Sequence, residues 1–207
     1  MAQMGRPRTF DRDAAVSKAM HLFWEHGYDA TSLSQLKANI GGGITAPSFY
    51  AAFGSKEALF REAAERYLAT HGKVTACLWD ENLSPRAAIE TALRRSAKMQ
   101  CERNHPKGCM VALGTISACA PETTAVLKPL FDSQARTRAG ITACVERGIA
   151  SGELSADIDV RALVTVFDSF LLGLTPLARN GVRHAVLDVA ITNVMCVWDA
   201  AATLPSS

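Results

Sequence analysis

An all-α fold is predicted by three observations on the 207-residue sequence. It contains no alternating Val/Ile/Thr run of strand length, apolar residues recur at helical spacing almost throughout, and helix-breaking pairs punctuate the chain at regular intervals. The first helix opens at Asp11, a plausible N-cap, with Phe10 placed to staple onto Ala15. Val16, Ala19, Met20 and Phe23 then form one apolar stripe, and Gly27 supplies a left-handed stop. Thr31 and Ser32 are the next cap candidates. Ser32 with Gln35 reads as a capping box, ahead of a short helix whose apolar face is Leu33, Leu36 and Ile40. Gly41-Gly42-Gly43 cannot continue that helix, since each glycine costs ~1 kcal/mol relative to alanine, so the chain turns.

A third short helix is predicted from about Ala46 to Phe53, with Pro47 tolerated because it falls in the first turn. Gly54 breaks it, and Ser55 caps a longer helix with Leu59, Phe60, Ala63 and Tyr67 inward, reaching at least Thr70. Further helices are read at roughly 84–102, 109–119, 122–150, 159–179 and 183–202, separated by Ser84-Pro85, His105-Pro106, Ala120-Pro121, Gly148 to Gly152 and Asn180-Gly181. No repeat or flexible linker interrupts the pattern. The two parts of the chain are expected to share a helix between about 55 and 75.

Composition narrows the class. Apolar residues make up 48% and charged residues 20%, near globular averages, which excludes disordered and collagen-like chains. The net charge is +2, and the whole excess lies in residues 1–75, which hold 9 basic and 7 acidic groups. Two charges argue only weakly for a polyanionic partner, so motifs must decide. Six cysteines without a CxxC pair, and an N-terminus without an apolar segment to be cleaved, point to a reducing, cytoplasmic setting. The apolar stretch from Ala162 to Ala178 contains Asp168, Ser169, Gly173, Thr175 and Pro176, which suits a buried helix better than a membrane span.

Residues 31–53 give a short helix, a glycine turn and a second short helix beside an earlier amphipathic one: helix-turn-helix arithmetic. Such a motif must hold its second helix rigid with one face exposed, so that side chains reach base edges while others meet phosphates. Phe49 and Phe53 supply the buried face, leaving Thr45, Ala46, Ser48 and Tyr50 outward. Hydroxyls and a methyl suit phosphate oxygens and thymine methyls.

The run Phe23-Trp24-Glu25-His26-Gly27-Tyr28-Asp29-Ala30-Thr31-Ser32-Leu33, followed by Pro47-Ser48-Phe49-Tyr50-Ala51-Ala52-Phe53-Gly54-Ser55-Lys56-Glu57-Ala58-Leu59-Phe60, resembles the DNA-binding domain of TetR-type transcriptional regulators. The resemblance covers residues 9–70, leaving 71–207 as a helical effector-binding and dimerisation domain. It implies a cytosolic homodimer of about nine helices per subunit, with the last two forming a four-helix interface. It also implies a small-molecule effector in the C-terminal core that releases a pseudo-palindromic double-stranded operator. Carried over residue by residue, Thr31 or Ser32 would hold a phosphate, Thr45, Ala46, Pro47 and Ser48 would face the major groove, Tyr50 would touch the backbone, and Lys56 would bind phosphate at a helix N-terminus. Arg6 and Arg8 could follow the duplex as an arm. Two departures stand out: the Gly41–Gly43 turn is about two residues longer than usual, and Ala46 replaces a polar or basic side chain, which shifts weight to shape readout.

Other readings of the same residues are blander. Gly41-x-Gly43-x-x-Ala46 matches a dinucleotide fingerprint, but a helical pattern precedes it where a strand is required. Cys101, His105 and Cys109 are spaced like metal ligands, yet Pro106 interrupts any common helix and no fourth ligand follows, so neither metal nor cofactor is expected. Cys101 or Cys109, near Arg103, His105 and Lys107, could instead serve a thiol-based redox or electrophile sensor. No hydrolase, zincin or P-loop motif occurs, so an enzyme, or an interaction module without DNA affinity, is the weak alternative. Trp79, Met99, Met110, Phe131, Phe167 and Phe170 are candidates to line an effector cavity, with Arg or His supplying the polar contact. Leu163, Val166, Phe167, Phe170, Leu171 and Leu174, with Val186, Val189, Ala190, Val194 and Val197, offer more apolar surface than one subunit covers, which predicts the homodimer.

Overall fold

The computed structural model describes residues 10–117 and 121–202; Arg6 and Arg8 lie outside them. Among the described residues there are ten α-helices and one 3-10 helix, more than the nine expected, and no strand beyond an isolated bridge between Leu154 and Ala202. The helices are α1 (Arg12–His26), α2 (Leu33–Asn39), α3 (Ala46–Phe53), α4 (Lys56–Ala69), α5 (Pro85–Cys101), α6 (Met110–Ser117), α7 (Pro121–Val126), α8 (Lys128–Ala150), α9 (Val160–Arg179) and α10 (His184–Ala200). The 3-10 helix, His71–Trp79, lies between α4 and α5.

Three of the N-terminal helices begin at the predicted caps, Asp11, Ser32 and Ser55, and α3 begins at Thr45, a cap the sequence reading did not assign. Each of the four accepts a hydrogen bond from the backbone N–H three residues on, and Ser32 with Gln35 closes the full capping box. The Phe10 ring lies edge-on to Phe53 at 5.9 Å and against Gly41, where a Cβ would fall 2.7 Å from the ring. Gly41, Gly42 and Gly43 all take positive φ (58°, 74° and 92°), which only glycine adopts without strain, so this stretch turns rather than continuing α2.

Two expectations are revised in the middle of the chain. The helix expected between about 55 and 75 does pack against both parts, α1 on one side and the 3-10 helix, α7 and α8 on the other, but it stops at Ala69, and after Thr70 the nine residues His71–Trp79 wind as a 3-10 helix, a length at which that tighter geometry is uncommon. The single helix read at 122–150 is broken at Leu127 into α7 and α8, with Pro129 in the first turn of α8, where its missing N–H is harmless. The break lets Leu130 reach α6: a Cβ on Gly114 would sit 2.5 Å from its side chain.

The buried residues form two clusters. One joins α1 to α4 with Met99, Met110, Val126, Leu127 and Leu130, so the body of the protein packs directly onto the N-terminal helices. The other fills the space among the 3-10 helix, α5, α8, α9 and α10. Helix α9 is long and apolar enough to cross a membrane by composition, yet it carries the buried Asp168, bonded to Arg138, and packs against α5, α8 and α10.

Candidate nucleic-acid interface and interior cavity

Helix α3 is anchored from below. Phe49 and Phe53 are buried with ring centroids 5.5 Å apart, Phe10 closes on Phe53, and the Arg12 guanidinium lies 5.3 Å above the Phe53 ring while pairing with Glu62 of α4 at 2.6 Å. This clamp fixes the helix by buried aromatic area, leaving the opposite face free. Thr45, Pro47, Ser48 and Tyr50 are exposed and Ala46 half-exposed. Tyr50 is 51% exposed, too much for a packing residue. The Thr45 and Ser48 hydroxyls lie 2.9 Å apart, and the Thr45 hydroxyl caps the helix by accepting from the Ser48 N–H at 3.3 Å.

Two residues of the predicted set behave differently. Thr31 is fully buried, and its hydroxyl donates to the Gly27 carbonyl at 2.6 Å and toward Leu22. It locks the corner between α1 and α2 and has nothing left for a phosphate; exposed Ser32 is the residue that can reach one. Lys56 is not a freely solvated lysine. Its ammonium lies 4.2 Å over the Tyr28 ring, and partial burial lowers its pKa, with Asp29 opposing. A cation in the first turn of a helix sits at the wrong end of the dipole, an arrangement that a bound anion would relieve. Tyr28 was invisible as a site residue in the sequence, because its role depends on a fold that brings it under Lys56.

The glycine turn forms one wall of a shallow groove of about 760 Å³ with Lys18, Asn39, Thr45 and Ser48. Neither Lys18 nor Asn39 is legible as an interface residue from local sequence, since they reach the groove from α1 and α2.

Behind this region lies an interior cavity of about 50 Å³ between α4, the 3-10 helix, α5, α6, α8 and α9. Of the six candidate lining residues, Met99 alone lines it. Met110 and Phe167 are core side chains, Phe131 and Phe170 pack against the clusters, and Trp79 is 42% exposed on an outer groove beneath Arg136. Nor do Arg or His supply the polar lining; Ser96, Gln100, Thr137 and Asp168 do. Helical spacing marks an apolar residue as inward without saying whether it meets packing or space.

Tyr67 of α4 links cavity and N-terminal helices. It is fully buried, donates to the Cys109 sulfur at 3.3 Å and accepts from the Met110 N–H at 3.3 Å, and burial drives its pKa well above the usual value. Further ties run from Thr123 to the Asp29 carboxylate at 3.0 Å and from Arg179 to Glu25 at 3.3 Å. His21, His71 and His105 gather around Trp24, with His105 stacked on the indole at 4.5 Å and His71 edge-on to His105 at 4.6 Å.

The thiol at Cys101 is not activated. Burial raises its pKa, Lys107 opposes only as the smaller influence, and the sulfur points at the Val182 carbonyl. Cys109 lies on the cavity wall, where the Tyr67 hydroxyl donates to its sulfur. Among the described residues no group of three or more His, Cys, Asp or Glu is placed to hold a metal ion.

Comparison with known proteins bears on both regions. The family described as bacterial regulatory proteins, tetR family, matches residues 15–63, and the tetracyclin repressor-like C-terminal domain matches residues 86–194. The chain is 33% identical over 195 residues to the HTH-type transcriptional repressor ComR of Escherichia coli (strain K12), spanning 94% of this chain and 91% of that protein. It is 34% identical over 110 residues to the repressor BdcR of the same organism, spanning 53% of this chain and 55% of that one. A solved structure of a cysteine mutant of the TetR family transcriptional regulator CifR, complexed with 26-bp double-strand operator DNA, aligns with a TM-score of 0.81 at 36% identity, covering 94% of this chain and 100% of that chain.

Proposed function

The chain belongs to the tetR family of bacterial regulatory proteins, and from that premise we propose that it is a homodimeric, DNA-binding transcriptional repressor released from a pseudo-palindromic operator by a small molecule. It is not an enzyme. The observation that carries the reading is helix α3, clamped through Phe49 and Phe53 with Thr45, Pro47, Ser48 and Tyr50 exposed on its far side. Ala46 completes the groove-facing surface, Ser32 and Tyr50 meet phosphates, and Lys56 adds a charged contact from the start of α4. Relatives named as repressors, and a relative solved on operator DNA, support the same assignment.

Dimerisation follows from the last two helices. Leu163, Phe167 and Leu174 are spent on the subunit's own core, whereas Val166 and Leu177 of α9 and Val186, Val189 and Val197 of α10 are exposed, Val189 by 62%. Paired across a two-fold axis, these stripes bury one another and set two copies of α3 against one duplex. For release, α4 runs from Lys56 at the outer surface to Tyr67 on the cavity wall. A ligand that binds more tightly to a DNA-incompetent form in which Tyr67 has moved weakens DNA binding, and DNA weakens the ligand's binding by the same factor.

Selection of duplexes from a random DNA pool tests the reading. Enrichment of inverted repeats, with half-sites about one helical turn or its multiples apart, is expected. A pool that stays random at low salt would remove the regulator assignment.

A further inference from the structure

The cavity holds three side chains that are themselves almost wholly buried yet keep hydrogen-bonding capacity. Gln100, 1% exposed, accepts at one end of its amide from the Thr175 hydroxyl at 2.8 Å, and no hydrogen bond is formed at the other end among the described residues. Asp168, 5% exposed, receives both guanidinium contacts of Arg138 on one oxygen, at 2.7 and 2.6 Å, leaving the second oxygen without a partner among the described residues. Ser96, one turn before Gln100 on the same face of α5, has its hydroxyl in the same condition. None of these atoms is sealed in protein: the sealed side-chain atoms without a hydrogen bond among the described residues are Trp24 Nε1 and His105 Nε2, the latter 3.5 Å from the Glu102 carboxylate. Buried polar groups are ordinarily satisfied, so free valences converging on one space mark a ligand's contacts.

Charge narrows the ligand. The Asp168 carboxylate is already balanced by Arg138, so the site is neutral as it stands, and an added charge of either sign would be buried without a counter-ion. The free groups are an amide end, a hydroxyl and a carboxylate oxygen that only accepts. A group that both donates and accepts, such as a hydroxyl, satisfies them together. Val74, Met99, Val111 and Leu171 give the remaining wall an apolar part, and Thr75, Ser133, Gln134 and Thr137 line the side toward the 3-10 helix and α8.

Size then says where the rest of the ligand goes. About 50 Å³ has room for a water or two and none for an effector with an apolar body. Against it, across the 3-10 helix and α8, lies an open groove of about 500 Å³ beside Trp79, and both spaces are bounded by Gly72, Thr75, Ser133 and Thr137. The partition is thin: the Thr75 and Thr137 hydroxyls meet at 3.4 Å. The partition rests on a nine-residue 3-10 helix, a geometry with poor hydrogen bonds.

We propose that the effector is an uncharged small molecule with a hydroxyl on an apolar body, that its hydroxyl sits between Gln100 and Asp168, and that it reaches them from the Trp79 groove by parting Thr75 from Thr137. This rests on the effector-release reading above, but binding and release are measured separately. The probes are benzyl alcohol, benzoate and benzylamine, equal in shape and differing in charge, tested on the full-length protein by calorimetry and by Tm. Benzyl alcohol is expected to bind and raise Tm by a few degrees, with the two ions at least tenfold weaker. Asp168→Asn leaves Arg138 uncompensated and should shift the preference to benzoate, a change that mere loss of packing would not produce. Gln100→Met should weaken the alcohol about fivefold; if it fails to fold, Ser96→Ala reports the same contact more gently. Binding of either ion as tight as the alcohol, or no binding of the alcohol at millimolar concentration, overturns the proposal. Binding that leaves an operator complex intact upholds the ligand class and removes the release mechanism instead.

Discussion

The outer helices α2 and α3 and the interior cavity are built in opposite ways. At the surface, each functional side chain is placed by its own neighbours: a cap at Ser32 or Thr45, three glycines at the turn, two phenylalanines four residues apart. At the cavity, six helical elements contribute, and Gln100 meets Thr175 across 75 residues of sequence. Local construction makes the first region rigid and replaceable as a unit. Non-local construction ties the second to the whole body, because a shift in any wall changes its volume.

That contrast can be broken at its strongest point. Phe49→Ala removes a fully buried ring from beneath α3 and is expected to cost roughly 3–5 kcal/mol, lowering the denaturant midpoint and abolishing operator binding. Ligand binding in the body should survive, since Phe49 does not line the cavity; loss of both functions would mean that the two regions fold as one unit. A smaller effect isolates chemistry from folding. Tyr50→Phe keeps the ring and loses a hydroxyl, so operator affinity should fall about tenfold, the size of one hydrogen bond to a charged group, with an unchanged Tm. Unaltered affinity in a direct titration would take Tyr50 off the interface.

Lys56 sharpens the comparison, because it belongs to the surface by charge and to the body through α4. Lys56→Ala should reduce the slope of log affinity against log salt by about one. A slope equal to that of the parent protein would leave Lys56 as Tyr28's stacking partner alone. The smallest expected effect lies at the seam between the regions. His71 has its pKa lowered from 6.5 chiefly by burial, then by His105 and His21, with Glu102 opposing; His21 is lowered by burial, His105 and Lys18. A base whose folded pKa lies below its unfolded one stays neutral in the folded protein while the unfolded chain takes up protons. Stability should therefore decline as pH falls through about 6.5. His71→Gln should flatten the decline between about pH 7 and 5, and an unchanged slope would place the titration elsewhere.

Sequence reading reached the two regions unequally for the same reason. The bounds of helix α3 are legible because Pro47 and Gly54 are local signals that act within a turn of themselves, while the cap at Thr45 shows only in the fold. Thr31 is legible as a helix-start residue but not as a buried one; only the packed corner against Leu22 and Gly27 decides where its hydroxyl points. The break at Leu127 is hidden because Pro129 is as acceptable in a first turn as it would be disruptive in an interior, and sequence alone does not say which applies. Phe167 and Met99 carry the same apolar signal, yet one fills the core and the other lines a space.

By itself the amino-acid sequence determined the helical class, the starts and stops of the N-terminal helices and the outward face of α3, because caps, glycines and apolar periodicity act over distances of one or two turns. The tertiary structure alone decided that α4 gives way to a 3-10 helix, that Lys56 rests on Tyr28, and that Ser96, Gln100 and Asp168 share one small cavity with spare hydrogen bonds. Those facts depend on which faces meet, and packing energy spread over many weak contacts carries no local mark in the chain.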